Sequence, residues 1–278
     1  MAIRNVKTLA KFRGTLVLVG AGKMGGAMLD GWLARGLLPK QISVVEPQPG
    51  KAVRGLARRG VRLNPKVNAV AASAVVIAVK PQSAPETLQS LARYVEKSTL
   101  VLSIMAGRTI GFLEKSLPLG TAIVRAMPNT AAAIGRGVSV AVANAHISAY
   151  QRKQASDLLA AIGKVEWVSD EALMDAVTAV SGSGPAYVFL LAETMASAGI
   201  AAGLPPALAT RLARETVAGA GELLHRSDVD AATLRQNVTS PGGTTAAALE
   251  VLMGPGGFER LLTQAIRAAT RRSRDLAG

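Results

Sequence analysis

The order of apolar and polar positions along the chain changes character near Lys164. Before it, short β-branched runs alternate with amphipathic stretches. Thr15-Leu16-Val17-Leu18-Val19 has almost no polar position, so it reads as a parallel strand buried on both faces. Strand candidates run 17–20, 42–46, 74–79, 100–104, 122–127 and 137–142, with helices expected between most of them, as at 50–59 and 85–94. Such alternation implies a doubly wound sheet, with ligands at the carboxyl ends of its strands. Beyond Trp167-Val168 the strand pattern fades into Ala/Leu-rich sequence. Helices are expected there at 171–180, 185–198, 206–225, 231–238, 245–252 and 257–274. The expected fold class is α/β: an N-terminal doubly wound sheet (1–165) followed by an all-helical domain (166–278).

Two breaks interrupt the helical half, Ser181-Gly182-Ser183-Gly184-Pro185 and the turn at 240–245. Helix 185–198 is apolar on nearly all faces and so demands burial on all sides. A domain of this size can hardly bury several such helices alone, which predicts association between subunits.

The first strand runs into Gly20-Ala21-Gly22-Lys23-Met24-Gly25, a G-x-G-x-x-G match. A helical pattern follows, stopped by Gly36, and then the strand at 42–46. This is the setting that the dinucleotide fingerprint requires. Gly20 makes the tight turn, Gly22 admits the pyrophosphate, and Gly25 lets helix and strand pack. The N-terminal domain is therefore expected to be a Rossmann-type fold. Glu46 ends the second strand, where an acid bonds the adenosine ribose hydroxyls and repels a 2′-phosphate. That leans towards NADH. Lys51 and Arg54 just beyond offset the repulsion, so the choice between NADH and NADPH stays open.

The stretch Asn237-Val238-Thr239-Ser240-Pro241-Gly242-Gly243-Thr244-Thr245 carries adjacent glycines and four hydroxyls ahead of an apolar helix. A helix start offers unpaired N–H groups and the positive end of the dipole, a seat for a small anion such as a carboxylate. The alternative is an ordinary helix start capped by Ser240 or Thr244.

Composition removes several chemistries. The chain has no cysteine, which excludes disulfides, thiolate nucleophiles and cysteine-ligated metals and fits a reducing, cytoplasmic setting. Its two histidines, His146 and His225, lack metal-site spacing, and no metal is expected. No secretory signal or membrane-spanning run is evident. The net charge of +14 raises the question of nucleic acid, but the basic residues are scattered and aromatics make up only 3%. Solvated helix faces and a basic N-terminal arm (1–13) account for them more simply.

Five segments together resemble Δ1-pyrroline-5-carboxylate reductases. They are the fingerprint with Met24, Ala78-Val79-Lys80-Pro81-Gln82, Arg125-Ala126-Met127-Pro128-Asn129-Thr130, Val180-Ser181-Gly182-Ser183-Gly184-Pro185-Ala186-Tyr187, and 237–245. The resemblance implies reduction of L-1-pyrroline-5-carboxylate to L-proline by NADPH or NADH. It also implies a homodimer built by interlocking helices, with larger rings in some members. By the same resemblance, Gly20, Ala21, Gly22, Lys23, Met24 and Gly25 hold the pyrophosphate, and Glu46 reads the ribose or its phosphate. Asn68, or Asn64, falls near the adenine. Val79, Lys80 and Pro81 border the nicotinamide half, with Met105 and Ala106. Ser240, Gly243, Thr244 and Thr245 line the substrate pocket, supported by Asn237, and Thr245 is the catalytic candidate that bonds the ring nitrogen.

The residues agree with that chemistry. Carbonyl reduction needs an acid to protonate the developing alkoxide. No lysine occurs after Lys164, and His225 lies in a helix body. A cyclic imine binds already protonated and becomes a neutral amine on hydride addition, so a hydroxyl and water suffice to orient it. Another imine or hydroxyacid reductase, or a nucleotide-sensing protein without turnover, remains as the alternative.

Overall fold

The computed structural model describes residues 8–65, 72–91 and 94–277. Eight strands among them form one sheet: β1 (Thr15–Val19), β2 (Ile42–Val45), β3 (Arg62–Leu63), β4 (Ala72–Ile77), β5 (Leu100–Ser103), β6 (Ala122–Met127), β7 (Gly137–Ala143) and β8 (Gly163–Trp167). Their order is β3-β2-β1-β4-β5-β6-β7-β8. Neighbours are parallel from β3 through β6; β7 then runs antiparallel to β6, and β8 parallel to β7. The order reverses beside β1, which has β2 on one side and β4 on the other. That is the switch point where doubly wound sheets open a crevice at their carboxyl ends.

The apolar runs become strands because both of their faces are covered. Leu16 and Leu18 point into one buried cluster and Val17 and Val19 into the other. The same alternation sends Val76 and Leu102 one way, and Ile77 and Val101 the other. Helices α1 (Lys23–Ala34), α2 (Lys51–Ala57), α3 (Ala84–Leu91), α4 (Ile110–Glu114) and α5 (Ala149–Leu159) supply the cover. Met28 and Trp32 of α1 meet Leu158 of α5 in the first cluster; Leu88 of α3 and Leu113 of α4 lie in the second. The fully buried Trp32 also donates from Nε1 to the Leu158 carbonyl at 2.9 Å, so its one polar atom is satisfied.

Several boundaries differ from the sequence expectation. The first strand ends at Val19, not Gly20, because Gly20 takes φ +88° and turns the chain out of its extended course. The third expected strand runs from Ala72 to Ile77 rather than over 74–79. The two-residue strand β3 was too short to leave a pattern. The helix expected at 171–180 is instead a 3₁₀ turn (Glu171–Leu173), one α turn, α6 (Met174–Val177), and a π-helical turn (Thr178–Gly182). The Asp170 carboxylate accepts from the Ala172 N–H at 2.8 Å, which starts this segment with a tighter turn than an α-helix.

The chain divides into two compact units. One ends at Gly182 and takes in the C-terminal stretch from Thr270; the other is Ser183–Ala269. The second unit holds α7 (Gly184–Ala201), α8 (Pro206–Arg226), α9 (Ala231–Asn237), α10 (Thr244–Leu252) and most of α11 (Phe258–Ala277). None of the residues of α7 is buried within the single chain, and Phe189 is 68% exposed. An apolar groove of about 550 Å³ lies between α7 and α11, walled by Tyr187, Leu191, Phe258 and Leu262 among others. Each large apolar side chain left in water forgoes about 2 kcal/mol of burial. No helix among the described residues is long and apolar enough to cross a membrane.

Candidate active site

The glycine turn sits at the carboxyl end of β1. Gly20 donates its N–H to the Val45 carbonyl (2.9 Å), and a Cβ on it would fall 2.7 Å from the Ala78 carbonyl oxygen. A Cβ on Gly25 would fall 2.2 Å from the Gly20 carbonyl oxygen. Close packing of turn, helix and neighbouring strand therefore requires glycine at both positions. Gly22 is different. It caps α1 with ordinary extended backbone (φ −68°, ψ −160°), and a Cβ on it would meet nothing within 4 Å. No side chain caps α1, so no side chain bonds its first-turn amides. Such a cradle fits a pyrophosphate at the positive end of a helix. Lys23 and Met24 open the helix beside it.

Glu46 is built into this turn. Its Oε2 accepts from the Ala21 N–H at 2.9 Å and its Oε1 from the Gln48 N–H at 3.1 Å. Each carboxylate oxygen keeps a second lone pair, enough for ribose hydroxyls. Asn64 fixes Glu46 from the other side: its Oδ1 accepts from the Glu46 N–H (2.8 Å), and its Nδ2 donates to the Glu46 carbonyl (3.0 Å). Asn64 has φ +47°, a conformation that asparagine tolerates better than most residues. Both ends of its side-chain amide are thus engaged on the backbone, and its structural role here is to hold Glu46. Asn68, the other candidate for the adenine side, lies outside the described residues.

The loops after β4 and β5 carry the candidates for the nicotinamide half. Val79 and Pro81 are half-buried and Lys80 exposed; Met105 is buried and Ala106 exposed. The ladder continues past the strand ends, with the Ala78 N–H on the Val19 carbonyl (2.7 Å) and the Ile104 N–H on the Ile77 carbonyl (3.0 Å). Ser103 Oγ accepts from the Met105 N–H at 3.3 Å, which turns the β5 loop. The Arg108 guanidinium joins the two loops. It donates to the Pro81 carbonyl from Nε (3.2 Å) and Nη2 (3.0 Å), and lies 4.6 Å from the centre of the Phe112 ring. Nothing in the sequence singled this residue out.

The motif at 125–130 is held from within the same unit. Arg125, nearly buried, donates to Glu171 Oε1 at 2.7 Å, and that oxygen also accepts from the Ile110 N–H at 2.8 Å. The Asn129 amide bonds the Val138 N–H through Oδ1 (3.3 Å) and reaches Ser181 Oγ at 3.5 Å. The π-helical turn at Ser181 therefore packs on the end of β6. Among the described residues no group of three metal-ligating side chains could hold a metal ion.

In the helical unit, α9 begins at Asp230. Its carboxylate accepts from the Thr233 N–H at 2.8 Å, which holds its pKa below the ordinary aspartate value. Asn237 ends α9 and is exposed. Thr239 Oγ1 turns back on the Arg235 carbonyl (2.7 Å), so it serves the helix end. The chain then folds through Gly242, at φ +70°, with the Gly243 N–H on the Ser240 carbonyl (3.1 Å). The residue that caps α10 is Gly243, neither Ser240 nor Thr244, and no side chain caps the helix. Ser240 instead sets its hydroxyl against Gly243, 2.5 Å from where a Cβ would lie. The first-turn amides of α10 are thus left uncapped beside exposed Ser240 and Thr244 and half-buried Thr245.

A doubly wound unit with this glycine cradle, followed by a helical unit with an uncapped, hydroxyl-rich helix start, defines a nicotinamide-dependent oxidoreductase. Residues 15–107 match a family described as NADP oxidoreductase, coenzyme F420-dependent, and residues 171–276 match pyrroline-5-carboxylate reductase dimerisation. The chain is 43% identical to a pyrroline-5-carboxylate reductase of Pseudomonas aeruginosa, covering 94% of this chain and 96% of that one. It belongs to the pyrroline-5-carboxylate reductase family. Its fold matches the structure of a Coxiella burnetii pyrroline-5-carboxylate reductase with TM-score 0.88 and 34% identity, covering 95% of this chain and 99% of that chain. A Plasmodium falciparum pyrroline carboxylate reductase, solved with NADP bound, matches with TM-score 0.79 and 29% identity over 96% and 99%.

Proposed function

We propose that the protein reduces the C=N bond of L-1-pyrroline-5-carboxylate to give L-proline, with NADPH or NADH as donor. The observation that carries this reading is the start of α10, uncapped and ringed by hydroxyls, in a half of the chain with no lysine. That arrangement suits a carboxylate-bearing imine that arrives with its own proton, and it offers little to a carbonyl that must be protonated during reaction.

The bound nicotinamide supplies the hydride. The chain's residues bind and orient. The backbone of Gly20, Ala21, Gly22, Lys23, Met24 and Gly25 holds the pyrophosphate, and Glu46 takes the ribose hydroxyls. Val79, Lys80, Pro81, Met105 and Ala106 border the nicotinamide half. The amides at the start of α10, with Ser240, Gly243 and Thr244, seat the substrate carboxylate, and Asn237 supports the turn. The Thr245 hydroxyl accepts the N–H of the protonated ring nitrogen. Hydride addition to the adjacent carbon then sends the C=N π pair to nitrogen, which keeps its proton and becomes a neutral amine. Catalysis rests on proximity and orientation rather than on a titrating side chain. Functionally, 1–165 serves the cofactor, and 166–278 serves the substrate and dimerisation. The exposed apolar faces of α7 and α11 are buried in a homodimer, which assembles further in the manner of the rings known in the family. The absence of cysteine fits a cytoplasmic enzyme.

The cofactor preference turns on Glu46, whose charge repels a 2′-phosphate. Glu46→Ser is expected to raise the ratio of NADPH to NADH kcat/KM about tenfold, equivalent to about 1.4 kcal/mol of relieved repulsion. Because Glu46 also holds the Ala21 N–H, both affinities fall together; the ratio isolates the preference. An unchanged ratio removes Glu46 from cofactor choice. The reaction itself is tested with a panel of cyclic imines and 2-oxo acids: cofactor oxidation with the imino acid alone supports the proposal, and oxidation with a 2-oxo acid alone defeats it.

A further inference from the structure

The β4 and β5 loops leave neighbouring parallel strands, and one ladder bond past the end of β5, the Ile104 N–H on the Ile77 carbonyl at 3.0 Å, still joins those strands. Farther out, the Arg108 side chain joins the two loops. Arg108 sits one residue past Gly107, and its Nε and Nη2 both donate to the Pro81 carbonyl, at 3.2 and 3.0 Å, across 27 residues of chain. A half-buried guanidinium making two bonds to one carbonyl is a stiff tie. The Phe112 ring, 4.6 Å away, limits its swing. The Arg108 backbone is fixed too. Gly107 has φ +69°, and a Cβ on it would come within 3.2 Å of the Leu276 carbonyl oxygen. The C-terminal turn bearing Leu276 is itself held by Asp175, which accepts from Ser273 Oγ at 2.7 Å. The guanidinium therefore pulls the Pro81 loop towards a β5 loop that is already braced.

We infer that Arg108 is a positioning residue that clamps the Lys80-Pro81 and Met105-Ala106 loops into one rigid border for the nicotinamide half of the cofactor. This rests on the proposed reading of those loops. Arg108 needs no contact with cofactor or substrate. It acts through Pro81, by narrowing the range of ring positions and so raising the share of bound complexes from which hydride can pass. A loosened border costs rate more than grip, because the pyrophosphate and adenosine contacts lie on other loops.

The test compares Arg108→Met, which keeps the apolar stem and loses the donors, with Arg108→Lys, which keeps a cationic donor head without the planar fork. Two binding constants are read alongside kinetics: one for NADPH and one for 2′-phospho-ADP-ribose, which lacks the nicotinamide. Arg108→Met is expected to lower kcat about tenfold, to weaken NADPH binding severalfold, and to leave the fragment's affinity at the wild-type value. Arg108→Lys is expected to recover part of kcat. Wild-type kcat in Arg108→Met overturns the clamp. Equal weakening of NADPH and the fragment also overturns it, because the effect is then general to the fold. Should the wild-type protein fail to reduce pyrroline-5-carboxylate, the activity reading falls, while the difference between the two binding constants still decides the clamp.

Discussion

Gly22→Ala is expected to abolish measurable dinucleotide binding while leaving thermal stability at the wild-type value. The backbone at Gly22 lies where alanine is at ease, and the added methyl meets no protein atom within 4 Å. The substitution therefore costs the folded protein nothing. A pyrophosphate resting on the first turn of α1 meets that methyl directly and is pushed off the amides. Each hydrogen bond from an amide to a charged oxygen contributes about 1.5–3 kcal/mol, so losing two weakens binding by about a hundredfold or more. Gly25→Ala provides the contrast. Its methyl would lie 2.2 Å from the Gly20 carbonyl oxygen and 3.2 Å from Ala78 Cβ, so turn or helix must shift. That overpacking costs about 1–3 kcal/mol and lowers Tm by several degrees. Titration calorimetry and a melting curve on both variants check the pair. Normal binding by Gly22→Ala would place the dinucleotide elsewhere.

Thr245→Ala is expected to lower kcat by about ten- to a hundredfold, with cofactor affinity unchanged and stability within about 0.5 kcal/mol. Thr245 is the second residue of α10 and half-buried, and the Gly243 cap leaves its hydroxyl with no capping duty. A hydroxyl in that position is free to meet a substrate. On the proposed reading, its loss leaves the carboxylate seat intact and removes the partner of the ring nitrogen, so the substrate binds without a fixed orientation. Thr245→Ser restores most of the rate if the hydroxyl is what matters. Stopped-flow hydride transfer with saturating substrate separates the step from product release. Unchanged turnover in Thr245→Ala would remove the residue from the mechanism.

The parts of this molecule that were legible in sequence are those with a local signature. Short apolar, β-branched runs marked β1, β4, β5 and β6, and proline or glycine marked the starts of α7 and α8 and the break ahead of α10. Glycine spacing after β1 located the cradle, because its geometric demand falls on the neighbouring chain. The ties that hold the site are of another kind. Asn64 reaches Glu46 across 18 residues, Arg108 reaches Pro81 across 27, and Arg125 reaches Glu171 across 46. Each joins a side chain to a partner that only the fold brings near, and such pairs leave no periodicity. For the start of α10 the sequence left two readings open, an anion seat and an ordinary start capped by Ser240 or Thr244. Serine and threonine are the usual caps, but Gly242 at positive φ turned the chain so that Gly243 took the place. The result leaves the α10 amides uncapped, which favours the anion seat over the ordinary helix start.

The most direct measurement is the initial rate of NADPH and NADH oxidation with L-1-pyrroline-5-carboxylate, with proline counted at the end. Saturable oxidation by at least one cofactor, yielding one proline per cofactor consumed, is the result predicted. A folded protein that binds the dinucleotide yet forms no proline with either would contradict the assignment.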